Sequence, residues 1–211
     1  MPLIKNIAFF GHSDIKPKDK LYHQVFEVAK LLAQRGYVIV NGGGSGVMNA
    51  ATQGAESVGG DTISITFYPQ NAPGFEGRYP KNITDKEIKT GNYIERMFAL
   101  LEHGDLYIIF KGGTGTLSEF ATAWCLARLY YGCHKPFILY GDFWYKIISV
   151  LRENLFIRKE DEKVFKIINN FKEVLQAIRE IEKEYSHSWK RLLADNKEKA
   201  FMLGYKGPEF I

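Results

Sequence analysis

Cysteine is scarce in this sequence, and the two residues present, Cys125 and Cys133, lie eight positions apart. Two thiols build no disulfide framework and, without companion ligands, no zinc site. No metal is therefore expected, and Cys125, on an apolar helical stretch, is expected in the core. Long hydrophobic runs are also missing. No stretch approaches the roughly 18–20 apolar residues that span a bilayer, so no membrane role is expected. The opening MPLIKNIAFFGHSD turns polar at Gly11 and His12 without the small-residue cleavage pattern of a secretory leader. A cytoplasmic location is the expectation. Charge of one sign is in short supply: the formal net charge is only +4. That surplus argues against nucleic acid as a partner and suits a small anion. Internal repeats and low-complexity segments are absent.

What remains is an ordinary globular composition, 45% hydrophobic and 25% charged over 211 residues, which excludes bulk disorder. The length favours one domain, placed at residues 1–185, with a basic, aromatic-bearing tail at 186–211. Trp189, Leu192 and Leu193 in that tail fit a docked helix, whereas Gly204, Gly207 and Pro208 fit an irregular end.

Apolar runs and amphipathic stretches alternate. Residues 4–10 read as a strand, and residues 19–36 as a helix with apolar positions at spacings of three and four, closed by Gly36. Strands follow at 37–40, 61–67, 105–110 and 135–140, with weaker ones at 83–88 and 164–168. Helices are expected at 47–58, 92–103, after Thr116, at 142–155 and at 171–185. Three of the seven prolines crowd into 68–82, which reads as a long loop of the kind that forms lids or binding loops. Mixed charges at 158–163 read as solvated surface. Continuous apolar strands are buried on both faces, as in a parallel sheet covered by helices. The expected fold is a doubly wound, Rossmann-like α/β fold with its ligands at the carboxyl ends of the strands.

Two glycine-rich turns fall at such ends: Gly42-Gly43-Gly44-Ser45-Gly46 and Gly112-Gly113-Thr114-Gly115-Thr116. A strand entering a helix through glycines presents backbone N–H groups at the positive end of the helix dipole, which suits phosphate. Glycines also serve plain tight turns. Neither turn matches the Gly-x-x-x-x-Gly-Lys-[Ser/Thr] phosphate loop. The first lacks the third glycine of the dinucleotide fingerprint, and no acidic residue ends the next strand, so a nicotinamide cofactor is rejected and none is expected.

Lys111-Gly112-Gly113-Thr114-Gly115-Thr116-Leu117-Ser118-Glu119 resembles the Pro-Gly-Gly-x-Gly-Thr-x-x-Glu motif of the LOG ("lonely guy") family, the cytokinin nucleoside 5′-monophosphate phosphoribohydrolases. Gly42-Gly43-Gly44-Ser45-Gly46-Val47-Met48 resembles that family's first glycine turn. Phe10-Gly11-His12-Ser13 stands at its Cys-Gly-Ser-Ser segment, and Glu95-Arg96 at its Met-His-Glu-Arg-Lys segment. The likeness runs from about residue 4 to residue 155. Lys111 replaces the family proline, Met97 the lysine after the arginine, and Tyr93-Ile94 the Met-His pair. Thr90-Gly91-Asn92 and Gly46-Val47-Met48 are similar to a related branch, the molybdenum-cofactor carrier-like proteins. Trp124 and Gly132-x-His134-Lys135-Pro136 look more like the hydrolases.

The resemblance implies a homodimer that cleaves the N-glycosidic bond of a purine nucleoside 5′-monophosphate, adenosine monophosphate or an N6-substituted relative, to base and ribose 5-phosphate. The alternative it implies is a non-catalytic nucleotide or molybdenum-cofactor carrier. Glu119 is the candidate carboxylate for activating water and offsetting ribosyl charge. Its competing reading is a capping box with Thr116. Arg96 is the candidate phosphate, ribose or leaving-base contact, against the reading of an exposed helix charge. Gly112, Gly113, Thr114, Gly115 and Thr116 are expected to hold the 5′-phosphate, with Gly43, Gly44 and Ser45 facing it and Gly11 and Ser13 nearby. His12 stands between base or phosphate contact and a structural role. Asn92 reads as a helix cap, and Trp124, Tyr130 and Tyr131 as core or dimer contacts.

Overall fold

The computed structural model describes residues 4–69, 77–131 and 134–194. Residues 70–76 of the proline-rich loop, Gly132, Cys133 and the tail from 195 lie outside that description. Strand β1 (Asn6–Phe10) leads to helix α1 (Lys20–Ala33), then β2 (Val38–Asn41), α2 (Val47–Glu56), β3 (Thr62–Thr66) and β4 (Lys86–Lys89). The second half runs α3 (Tyr93–His103), β5 (Leu106–Ile109), α4 (Thr114–Leu129), β6 (Phe137–Tyr140), α5 (Phe143–Asn154), a 3-10 turn (Lys159–Val164), β7 (Phe165–Ile168) and α6 (Phe171–Ala194).

All six strand pairings are parallel, in the order β4-β3-β2-β1-β5-β6-β7. This is the doubly wound α/β fold that the continuous apolar strands predict. Register fixes which side chains reach which face. Ile7 pairs with Ile39 on one side and Leu106 on the other, and these pack with Phe9, Ile108 and Phe110 beneath α1, α2 and α6. The alternate residues Ala8, Phe10, Val40, Tyr107 and Ile109 pack beneath α3, α4 and α5. Each central strand thus feeds two cores, which is why it reads as unbroken apolar sequence. The edge strand β4, KEIK, is mostly exposed and carries charges that discourage edge-to-edge pairing.

The 3-10 turn covers much of the charged 158–163 run. Its Asp161 carboxyl accepts from the Arg158 N–H and from the Arg128 guanidinium, and these contacts hold it below the usual carboxylate range, the Arg158 backbone bond first. Helix α6 continues to Ala194, past the boundary expected at 185, because no glycine or proline interrupts the chain before Gly204. One residue-level expectation is overturned. Cys125 is exposed rather than in the core, since it sits on the outward side of α4.

Candidate functional site

Helices leave β1 toward β2, β3 and β4 on one side, and the chain then crosses to β5 on the other. The β1/β5 junction is therefore the topological switch point, where doubly wound sheets open a crevice beyond the strand ends. A cleft of about 290 Å³ lies there. Its walls are the end of β1 (Phe9, Phe10, Gly11, His12 and Ser13) and the start of α4 (Gly113, Thr114, Gly115, Thr116 and Glu119). Gly42 and Met48 come from the β2–α2 turn, and Tyr93 and Arg96 from α3.

Local bonding holds these pieces in register. The His12 N–H donates to the Lys111 carbonyl at 3.1 Å, and the His12 carbonyl accepts from the Val47 N–H at 2.9 Å. One loop thereby ties the β5–α4 turn to the start of α2. Gly46 makes the close approach possible: its φ is +59°, and a Cβ there would stand 2.3 Å from the His12 carbonyl oxygen. The Ser45 hydroxyl donates to the Ser13 carbonyl at 2.7 Å.

Helix α4 starts at Thr114 with Gly113 as its N-cap and no side-chain cap. Thr116 is therefore inside the first turn and Glu119 inside the second, so the two form no capping box. Glu119 is only 8% exposed yet lines the cleft. Thr116 is 6% exposed and lines the cleft as well. The uncapped N–H groups of the first α4 turn face a crevice rather than a side chain.

Arg96 is not an exposed helix charge; it is 6% exposed. Its Nε donates to the Ile65 carbonyl and its Nη2 to the Gly42 carbonyl, both at 3.0 Å. The guanidinium staples the end of β3 to the first glycine turn while forming part of the cleft wall. Gly42 is obligatory in this packing, because a Cβ would lie 1.7 Å from Nη2. Asn92 caps α3 by accepting from the Glu95 N–H at 2.9 Å, and Glu95 returns the contact to Asn92 Nδ2 and the Gly91 N–H.

The structure brings Gly11, Ser13, Gly113, Thr114, Gly115, Thr116, Arg96 and Glu119 to one cleft. Gly43, Gly44, Ser45 and Gly112 are not in its lining. The Gly43 N–H is taken by Asn41 Oδ1 at 2.8 Å. The Gly44 carbonyl accepts from Asn82 Nδ2 at 2.8 Å, and the Gly43 carbonyl from the Tyr79 N–H and Arg78 Nη1. The first glycine turn is thus clasped by the chain that follows the proline-rich loop. That clasp is itself fixed by Glu87, which accepts from Thr66, Tyr68 and Arg78; the Thr66 hydroxyl above all lowers its carboxyl from the ordinary value. Met97 packs between α3 and α4, with Sδ 3.7 Å from the Ser118 hydroxyl, and is not in the lining. Lys111 is exposed, its Nζ 6.0 Å from the centre of the Phe143 ring.

Sequence reasoning passed over Gly42, Met48 and Tyr93 as cleft residues, and the buried Asn41–Asn82 brace. For Tyr93 the available signal was its place directly after the Asn92 cap, at the α3 end that meets α4. No cluster of three or more metal-ligating side chains occurs among the described residues. No described helix is long and apolar enough to cross a membrane.

A seven-stranded parallel sheet with a glycine-turn cleft at its switch point defines a Rossmann-like α/β protein. The model of the SLOG cluster4 family matches residues 4–170, and the chain belongs to that family. It is 31% identical over 105 residues to an uncharacterized protein of Archaeoglobus fulgidus, spanning 50% of this chain and 65% of that one. It is 31% identical over 123 residues to a cytokinin riboside 5′-monophosphate phosphoribohydrolase of Mycobacterium tuberculosis, spanning 56% of this chain and 60% of that one. The chain thus spans less than two-thirds of the length of either relative. Among solved structures, the molybdenum cofactor binding protein of Rippkaea orientalis superposes with a TM-score of 0.63 at 24% identity, covering 84% of this chain and 97% of that one. The molybdenum cofactor carrier protein of Chlamydomonas reinhardtii gives 0.59 at 21%, covering 87% and 99%. DNA processing protein A of Helicobacter pylori gives 0.55 at 18%, covering 86% and 81%. These structural likenesses show the fold.

Proposed function

We propose that the protein hydrolyses the N-glycosidic bond of a purine nucleoside 5′-monophosphate, adenosine monophosphate or an N6-substituted relative. The observation that carries this reading is that the α4 N-terminus and Glu119 line one cleft. The phosphate sits on the N–H groups of Gly113, Thr114, Gly115 and Thr116, where the helix dipole favours an anion. Glu119 follows Thr116 by one turn, about 5 Å along the axis, so a phosphate at the helix end lays the ribose beside the carboxylate. Glu119 takes a proton from water as the oxygen attacks C1′. The C1′–N bond breaks, its electron pair leaves with the base, and positive charge on the sugar is offset by the carboxylate. Arg96 is a positioning residue that holds the Gly42 turn and β3 against this cleft. The likeness to the Mycobacterium tuberculosis phosphoribohydrolase supports the reading.

The protein acts as a homodimer through α3 and α4. Leu117, Ala121, Cys125 and Leu129 follow one another at every fourth position of α4, all exposed; Ile94 and Phe98 of α3 are exposed as well. A helix apolar on its outward side as well as its inward side is built to be covered twice.

A second reading, a non-catalytic carrier of a nucleotide or molybdenum cofactor, is favoured by the structural neighbours and by the commitment of Arg96 donors to backbone carbonyls. A panel of nucleoside monophosphates incubated with the protein separates the two. Free base and ribose 5-phosphate support the hydrolase. Nucleotide binding with no product from any member supports the carrier.

A further inference from the structure

We infer that His12 is a ligand-contacting residue of the cleft whose protonated form strengthens the hold on the anion at the α4 N-terminus. The inference rests on the phosphate site proposed above and adds a charge to it that the glycine turn itself does not supply.

Three observations place His12 there. Its backbone is pinned on both sides, by the Lys111 carbonyl ahead of the α4 turn and by the Val47 N–H at the start of α2. His12 lines the same cleft as Gly113 to Thr116, and its side chain is 46% exposed, open to a ligand. Thr116, more than nine-tenths buried, stands in the same wall of the cleft.

The charges facing the ring come from four elements. On its own loop, the Asp14 carboxylate lies 4.0 Å from Nε2 and is 73% exposed. On the β5–α4 turn, Lys111 is directed over the Phe143 ring and is outside the lining. Across the cleft stand Arg96 and Tyr93 from α3 and Glu119 from α4. Arg96 is anchored to the Ile65 and Gly42 carbonyls on the far wall. His12 is therefore the cation-forming side chain on the β1 wall. Imidazole is the side-chain type that changes charge between about pH 5 and 8, and a protonated ring gives an anion a charge-assisted hydrogen bond. Asp14 competes with the anion for that ring.

Sulfate is the probe, because it remains dianionic across this range and brings no titration of its own. Its affinity for the full chain is measured by calorimetry at pH 5.5 and 8.5 at constant ionic strength. Wild type is expected to bind about tenfold more tightly at the lower pH, the scale of one charge-assisted hydrogen bond. His12→Asn and His12→Gln are expected to bind weakly with the same affinity at both values. Asp14→Asn is expected to bind more tightly than wild type at pH 5.5. Wild-type affinity that does not change with pH, or variants that keep the wild-type pH dependence, overturns the inference alone. Absence of sulfate binding at either pH overturns both the inference and the phosphate site beneath it. Turnover plays no part in the readout, so the hydrolytic reading stands or falls separately.

Discussion

His134 shows how a single buried side chain couples this fold to pH. It is 2% exposed, its ring stacks on Tyr131 at 5.5 Å, and burial lowers its pKa to about 4 from an ordinary 6.5. The folded state therefore keeps the imidazole neutral where the unfolded chain already binds a proton. Its contribution to stability is complete above about pH 6.5 and falls as pH drops toward 4, by roughly 3 kcal/mol in total. His134→Gln should flatten that limb when stability is followed by denaturant titration between pH 7 and 4; an unchanged slope would show that another group sets it. The neighbouring Lys135 has its pKa lowered to about 8, again by burial, while Nζ donates to the Leu101 and Glu102 carbonyls at the end of α3. Lys135 thereby ties the chain entering β6 to the end of α3. Arg96 does similar work at the cleft, and its role is hidden in the sequence. An arginine beside Glu95 on a predicted helix reads equally as solvated charge, and only the approach of Gly42 within reach of its guanidinium reveals a clamp.

At the scale of elements, the clamp makes Gly42 and Arg96 one unit. Gly42→Ala forces the guanidinium away from two carbonyls and should destabilise the fold by roughly 2–4 kcal/mol. In an Arg96→Ala background the same change should cost clearly less, a coupling that a double-mutant cycle of thermal unfolding measures. Additive effects would mean that the turn tolerates the methyl group by moving elsewhere. Helix α4 carries the second element-scale prediction. Light scattering should give about twice the chain mass of 24.1 kDa, and Ala121→Glu with Leu129→Glu should shift it toward one chain. A wild-type mass near a single chain would remove the proposed interface. The outward stripe of α4 also explains why Cys125 misled: in a helix apolar all round, residue type alone does not say which side meets the sheet. The α4 start was misleading for a related reason. Thr116-x-x-Glu119 has capping-box spacing, but Gly113 begins the helix three residues earlier and so turns both side chains into the cleft wall.

For the whole molecule, the strand and helix order and the parallel sheet were legible because each strand is buried on both faces and each helix on one, and those patterns survive in the residue string. The switch-point location of the cleft followed from that order. Less legible was the division of labour between the two glycine turns. Both look alike as sequence, yet the Asn41–Asn82 brace and the Arg78 contacts occupy the backbone of the first, while the second is left facing the crevice. Such long-range side-chain closures leave no periodic trace. The chemistry proposed for Glu119, on a nucleotide held by the α4 turn, is tested by one paired measurement. Wild type and Glu119→Gln are compared for nucleoside monophosphate binding and for release of base and ribose 5-phosphate. The amide is nearly isosteric but accepts no proton from water, so the variant should bind as wild type does and turn over about 10²–10⁴-fold more slowly. Equal turnover by the two proteins would contradict the claim.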